Sequence, residues 1–148
     1  MSQKNHNGEG KVSIDEIRMV VISSFTAALI EKCPDTAAHC RRVATHAVSI
    51  GVSMGLPHEE LSLLKRAALL HDIGKLIVER SYIHKPGRLT EDEWKEMKRH
   101  PEIGAAILKP YPFFNREAHI ALTHHERYDG KGFRNYKSTI LGDIFISH

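Results

Sequence analysis

Six residues in this sequence have the side-chain types and surroundings expected of metal ligands. They are five histidines and one aspartate: His39, His71, Asp72, His100, His124 and His125. Most of them stand beside apolar residues on predicted helices, where a polar group is costly unless it is hydrogen-bonded or binds a metal. A single histidine on such a face is more often an ordinary core residue than a ligand. Taken together, however, the six residues indicate a buried metal centre.

Two adjacent pairs strengthen the metal interpretation. His71 and Asp72 follow the apolar run "AALL" at 67–70, which predicts an imidazole and a carboxylate at one helix end, and such a carboxylate can bridge two ions. Neighbouring residues cannot share one face of a helix, so a core role for both His124 and His125 is difficult to arrange. A set of imidazoles and a carboxylate without thiolate suits iron, manganese, zinc or nickel rather than calcium.

The elements that position these residues are predicted to be helices throughout. Capping boxes at Ser13 with Glu16 and at Thr90 with Glu93 mark two helix starts. The apolar spacing predicts helices over about 14–32, 35–54, 58–74, 90–100 and 101–108, and a last one that carries residues 120–125, with loops at 81–89 and 129–133. No alternating strand pattern and no internal repeat is found. The expected fold class is therefore all-α.

Composition narrows the class of protein further. The 148 residues predict one domain, and 41% hydrophobic with 26% charged residues is typical of a soluble globular protein. The net charge of +3 is spread along the chain without a basic stripe, which argues against DNA or RNA as a partner. The longest apolar run, at 19–30, is shorter than the roughly 20 residues of a membrane span, so no membrane insertion is expected. Two cysteines outside any CxxC motif favour a reducing cytoplasm. We expect residues 1–12 to be a disordered tail and 13–148 to be the domain.

Five blocks of the sequence resemble, in order and approximate spacing, the HD-GYP domain, a branch of the HD superfamily of metal-dependent phosphohydrolases. The blocks are "HCRRVA" (39–44), "AALLHDIGK" (67–75), "HKPGRLTEDEW" (84–94), "MKRHPEIGAAIL" (97–108) and "HHERYDGKGF" (124–133). The resemblance covers about residues 36–133. It implies a helical bundle with a centre of two or three divalent ions, iron or manganese ahead of zinc or nickel. It also implies hydrolysis of a cyclic dinucleotide, typically cyclic di-GMP, in bacterial second-messenger signalling, where signalling proteins are further partners.

The resemblance also implies roles for individual residues. The six residues that match the family's metal ligands are His39, His71, Asp72, His100, His124 and His125. Asp72 would bridge two ions, and Lys75 matches the lysine that contacts the scissile phosphate, so both are the catalytic candidates. Without the resemblance, Lys75 would be interpreted as a lysine that answers the helix macrodipole. Some members have a glutamate four residues before the first histidine that supports a third ion. Asp35 occupies that place, although a position just after Pro34 also suits a helix cap.

Two departures from the family pattern leave alternatives open. The Gly-Tyr-Pro motif reads Gly132-Phe133-Arg134, which loses the tyrosine hydroxyl and the proline. The family's last aspartate ligand would follow His148, so we expect the domain to lack its C-terminal helices, as a fragment rather than a naturally truncated protein. The alternatives are a catalytically impaired signalling or protein-interaction module and an HD phosphohydrolase that acts on another nucleotide. The paired histidines at 124–125 and the "KPG" block argue against the latter.

Overall fold

The computed structural model of the chain describes residues 12–127, 129 and 131–133, and every regular element in them is a helix. The elements are α1 (Ile14–Lys32), α2 (Pro34–Ser53), α3 (His58–Leu70), a 3-10 turn (Ile73–Leu76), α4 (Arg80–Ile83), α5 (Glu91–Met97), α6 (His100–Leu108), a second 3-10 turn (Pro112–Phe114) and α7 (Asn115–Thr123). The expected all-α class is confirmed. The predicted tail, apart from Val12, and all residues after Phe133 lie outside the described part.

The predicted capping boxes form as hydrogen-bonded pairs. The Glu16 amide donates to the Ser13 hydroxyl at 3.1 Å, and the Ser13 amide donates to the Glu16 carboxylate at 2.7 Å. Thr90 and Glu93 make the same reciprocal pair ahead of α5. Because each box satisfies amides that a helix start leaves unpaired, these local signals locate the starts of α1 and α5 correctly.

Four predicted boundaries are wrong. The third helix was expected over about 58–74, but α3 ends at Leu70 and Gly74 lies in the 3-10 turn that follows. Residues 81–83 of the expected loop belong to the short helix α4, which begins at Arg80. His100 does not end the helix of Trp94, because α5 stops at Met97 and Pro101 occupies the first turn of α6, where its missing amide is tolerated. The pair at 124–125 was expected on the last helix, but α7 ends at Thr123 and both histidines lie in the turn that follows.

The helices pack so that the first 3-10 turn lies against α6. α2 packs on α3, α6 packs on α7, and a shared core contains Leu70, Leu108 and Phe114. Gly74 makes the closest backbone approach, since a Cβ built on it would lie 1.9 Å from the carbonyl oxygen of His100. Only glycine allows this contact, which holds the segment after α3 beside the start of α6. No helix in the described part is both long enough and apolar enough to cross a membrane.

Candidate metal centre

The six side chains that were predicted to be ligands converge from four parts of the fold. α2 carries His39, the end of α3 carries His71 and Asp72, α6 begins with His100, and the turn after α7 carries His124 and His125. Their donor atoms form two groups, and within each group these atoms lie within 4.8 Å of one another. The outer ligand group is His39, His71 and Asp72, and the inner ligand group is His100, His124 and His125.

Asp72 connects the two groups through its two carboxylate oxygens. Its Oδ1 lies 3.2 Å from Nε2 of His100 and 3.8 Å from Nε2 of His124, in the inner group. Its Oδ2 lies 3.5 Å from Nε2 of His71 and 2.7 Å from Nζ of Lys75. The side chain is almost completely buried at 2% exposure. One oxygen therefore faces each group, which is the arrangement of a carboxylate that bridges two ions.

Three of the imidazoles are oriented by the same backbone contact. Nδ1 of His71, His100 and His124 lies 2.8, 2.7 and 2.8 Å from the carbonyl oxygen three residues earlier. A carbonyl can only accept a hydrogen bond, so each Nδ1 carries the proton and donates it. In the neutral ring Nε2 is then an unprotonated acceptor, and in all three histidines it faces Asp72. This contact fixes the tautomer that coordinates a metal through Nε2.

The spacing of the Nε2 atoms in the inner group fits a single ion. Nε2 of His100 lies 3.2 Å from Nε2 of His124 and 3.2 Å from Nε2 of His125. Two nitrogen ligands bound at about 2.0–2.1 Å to one ion are separated by about 2.8–3.4 Å at octahedral or tetrahedral angles. Two acceptor nitrogens at this distance repel each other unless a cation lies between them. The donor set therefore fits a divalent ion.

The protonation states of the centre also suit metal binding. Burial, assisted by the positive charge that His71 would carry, holds the pKa of His124 well below its usual range. Burial and the neighbouring His100 lower the pKa of His125 to about 4. Burial acts to raise the pKa of Asp72, but its histidine and lysine neighbours hold that pKa well below the usual range. His124 and His125 thus offer neutral imidazoles and Asp72 an ionised carboxylate, which are the forms that bind metal.

An aromatic contact with Phe133 orients the ring of His125. The Phe133 ring stacks on the His125 ring, with centroids 4.3 Å apart and planes inclined by 22°. Gly132 lets the loop approach, because a Cβ there would lie 2.4 Å from the Cα of Glu126. This contact was not predicted from the sequence, where the segment stood out only as a departure from Gly-Tyr-Pro; an aromatic residue after a glycine was the available sign. Arg134 lies outside the described residues.

Asp35 and Lys75 occupy different surroundings. The Asp35 side chain is 91% exposed and its carboxylate lies 4.0 Å from Nδ1 of His84, so among the described residues it joins neither ligand group. It is not the helix cap either, because Cys33 occupies the cap position of α2. A role for Asp35 with a third ion stays a prediction. The Lys75 ammonium, at 21% side-chain exposure, contacts Asp72 at the edge of the centre.

Comparison with known proteins relates the whole region to one family. The HD domain family matches residues 36–146. A cyclic di-GMP phosphodiesterase response regulator of Xanthomonas campestris is 39% identical over 81% of this chain, and a 3'3'-cGAMP-specific phosphodiesterase of Vibrio cholerae is 34% identical over 84%. A cyclic di-GMP phosphodiesterase of Thermotoga maritima is 41% identical over 67%. The chain spans 32%, 24% and 27% of the lengths of these three relatives.

Proposed function

This chain belongs to the HD domain family, and we propose that it is the metal-dependent phosphohydrolase part of an enzyme that cleaves a cyclic dinucleotide, with cyclic di-GMP as the first substrate to test. The observation that carries the proposal is the carboxylate of Asp72, which directs one oxygen to each ligand group. The relatives named for cyclic di-GMP and for 3'3'-cGAMP support this substrate class.

The chain would hold two ions, one in each ligand group, with Asp72 shared between them. His39, His71 and Oδ2 of Asp72 would bind one ion. Oδ1 of Asp72 and the inner ligand group would bind the other. Iron or manganese fits this oxygen and imidazole set first, and zinc or nickel next. Bound divalent ions supply Lewis acidity to phosphoryl oxygens and lower the pKa of a water nucleophile. Asp35 is the candidate for supporting a third ion.

Lys75 would provide the fixed positive charge beside the scissile phosphate. Its ammonium lies 2.7 Å from Oδ2 of Asp72 and is partly open to solvent, so it can exchange that contact for a phosphoryl oxygen of an entering substrate. A preorganised cation at this place stabilises the negative charge that develops on the phosphoryl group during hydrolysis. Lys75 is thereby proposed as both a catalytic and a substrate-binding residue.

The replacement of tyrosine in the Gly-Tyr-Pro motif does not by itself favour an impaired module. Phe133 contacts His125 through its ring face, which a tyrosine would share. The loss of the hydroxyl therefore leaves the described contact in place. We further propose a bacterial cytoplasmic location with signalling partners, because the Xanthomonas relative is named a response regulator and both cysteines, Cys33 and Cys40, are free and buried.

A substrate panel on the metal-loaded chain tests the proposal. Chain loaded with Mn²⁺ or Fe²⁺ is incubated with cyclic di-GMP, 3'3'-cGAMP and a nucleoside monophosphate, and the products are separated by chromatography. We expect a linear dinucleotide from a cyclic substrate and none from the Asp72→Asn variant. Full metal loading without cleavage of either cyclic dinucleotide would favour the signalling module. Cleavage of the monophosphate alone would favour a different HD phosphohydrolase.

A further inference from the structure

One large aromatic side chain stands exposed beside the candidate metal centre. Trp94, on α5, is the single tryptophan of the chain and is 45% exposed. Its ring contacts the Phe133 ring edge to face, with centroids 6.0 Å apart and planes inclined by 82°. Phe133 in turn stacks on His125. Consecutive aromatic contacts therefore lead from a metal-ligand candidate outward to solvent.

We propose that Trp94 is a stacking surface for a nucleobase of the dinucleotide, an inference that rests on the proposed function. A substrate with its phosphate at the metal centre beside Lys75 must extend a ribose and a planar base away from the centre. Trp94 stands two ring contacts from His125, with part of its surface open to solvent. Aromatic side chains bind bases of any sequence through their π faces, so Trp94 offers the chemistry that a base needs at this place.

The charges around Trp94 are compatible with an anionic ligand. Two acidic residues of α5 are paired with lysines, and Glu96 is paired with Arg99. Glu93 accepts hydrogen bonds from Nζ of Lys85 at 2.6 and 2.8 Å, and Asp92 accepts one from Lys95 at 2.9 Å. Because these carboxylates already have cationic partners, their repulsion of a dinucleotide is reduced.

Fluorescence measures this contact directly, since all tryptophan emission of the chain comes from Trp94. The Zn²⁺-loaded chain is titrated with a phosphorothioate analogue of cyclic di-GMP, with GMP, and with ribose 5-phosphate, which has a phosphate but no base. We expect saturable quenching by both guanine nucleotides and none by ribose 5-phosphate. Binding of the analogue by calorimetry without a change in emission would overturn the stacking surface alone. A chain that binds no guanine nucleotide would overturn the stacking surface and the substrate assignment together.

Two variants separate base binding from support of Phe133. If Trp94 stacks on a base in both the bound substrate and the transition state, Trp94→Ala raises KM by about 10-fold or more and leaves kcat within about 2-fold. Trp94→Phe, which keeps a smaller aromatic face, raises KM less. Met19→Ala, a truncation of an apolar side chain on α1 that is 57% exposed, is the matched control and leaves both constants unchanged. Loss of metal and of kcat in Trp94→Ala, with KM unchanged, would assign Trp94 to positioning Phe133 and His125 and would contradict base stacking.

Discussion

The inner and outer ligand groups contain similar donors, but the fold holds them differently. In the inner group, His100 and His124 are 2% and 7% exposed, and each donates Nδ1 to a backbone carbonyl. In the outer group, His71 has the same burial and the same backbone contact, whereas His39 is exposed on α2. His125 is half-buried, so the inner group is more enclosed and preorganised than the outer group, which opens to solvent at His39.

This difference predicts an order of filling. The inner nitrogens already stand at the separation that one ion requires, so little conformational entropy is lost when an ion binds there. In the outer group the exposed His39 side chain must lose conformational freedom when an ion binds, and this entropy cost lowers the affinity of the outer group for its ion. The open side at His39 also leaves room for substrate. We infer that the inner ion is mainly retained and that the outer ion is the more exchangeable one.

The largest effect is expected at Asp72, the residue that the two groups share. Asp72→Ala removes a ligand from both ions, so the chain should hold less than one ion and hydrolysis should fall by more than about 10³-fold, because bound ions supply several kcal/mol of charge stabilisation. Mass spectrometry of the metal content and the dinucleotide assay measure this. Asp35→Ala is the matched control and should retain both ions. An Asp72→Ala chain that keeps two ions would show that the groups do not share this carboxylate.

A Lys75 variant tests whether this residue acts in hydrolysis or in the structure of the metal centre. Lys75→Ala should lower kcat by about 10²-fold, the usual cost of one preorganised donor to developing charge. Metal content and melting temperature should stay nearly unchanged, because the ammonium is partly exposed. Lys65→Ala, an exposed lysine on α3, is the control. A loss of metal in Lys75→Ala would assign this residue to the structure of the centre instead.

The order of filling is tested by removing one histidine from each group. His124→Ala should weaken the tighter ion, and His39→Ala should weaken only the second, in both cases by at least the 10- to 100-fold that even a partner of a ligand contributes. Competition with a chromogenic chelator measures the two affinities. Equal loss in both variants would mean that the enclosed and open groups bind metal alike, which would contradict the order of filling.

Gly74 links the segment that carries Asp72 to the start of α6, because its backbone packs against the carbonyl of His100. Gly74→Ala should force α6 away from the 3-10 turn, destabilise the fold by roughly 1–3 kcal/mol as overpacking does, and lower the affinity for the inner ion. Gly104→Ala should cost less, since the nearest atom to its Cβ would be 3.3 Å away. Urea unfolding of both variants provides the measurement, and equal stabilities would refute the role of this contact.

The elements that local chemistry specifies were predicted well. The capping boxes at Ser13 and Thr90 are made by residues three apart, so sequence alone locates both helix starts. The set of candidate ligands followed from residue types, apolar neighbours and the resemblance to the HD-GYP domain. Their chemical roles remain predictions.

What sequence could not supply depends on contacts between distant residues. The Gly74 contact with His100 and the stacking of Phe133 on His125 join segments that only the tertiary fold brings together. The turn after α7 was missed for a related reason. A helical apolar pattern continues through residue 121, and the turn lets both adjacent histidines at 124–125 contact His100.

The smallest effect concerns the pH dependence of the metal-free chain. The pKa of His125 is lowered to about 4 and that of His124 well below its usual 6.5, so in the folded state both stay neutral where the unfolded chain binds protons. The free energy of unfolding should therefore be independent of these histidines above about pH 7. It should fall as the pH drops from about 6.5 toward 4, by at most about 1.4 kcal/mol per pH unit for each histidine. The lowered pKa of Asp72 affects stability only below about pH 4, where the unfolded chain protonates this carboxylate while the folded chain keeps it ionised. Urea unfolding after chelator treatment, at pH 7.5, 6 and 5, measures the slope of the free energy of unfolding against pH.

Two variants test which histidine causes this slope. His124→Gln should reduce the slope more than His39→Gln, because His39 is exposed. An equal effect of the two variants would remove the distinction between an enclosed and an open ligand group.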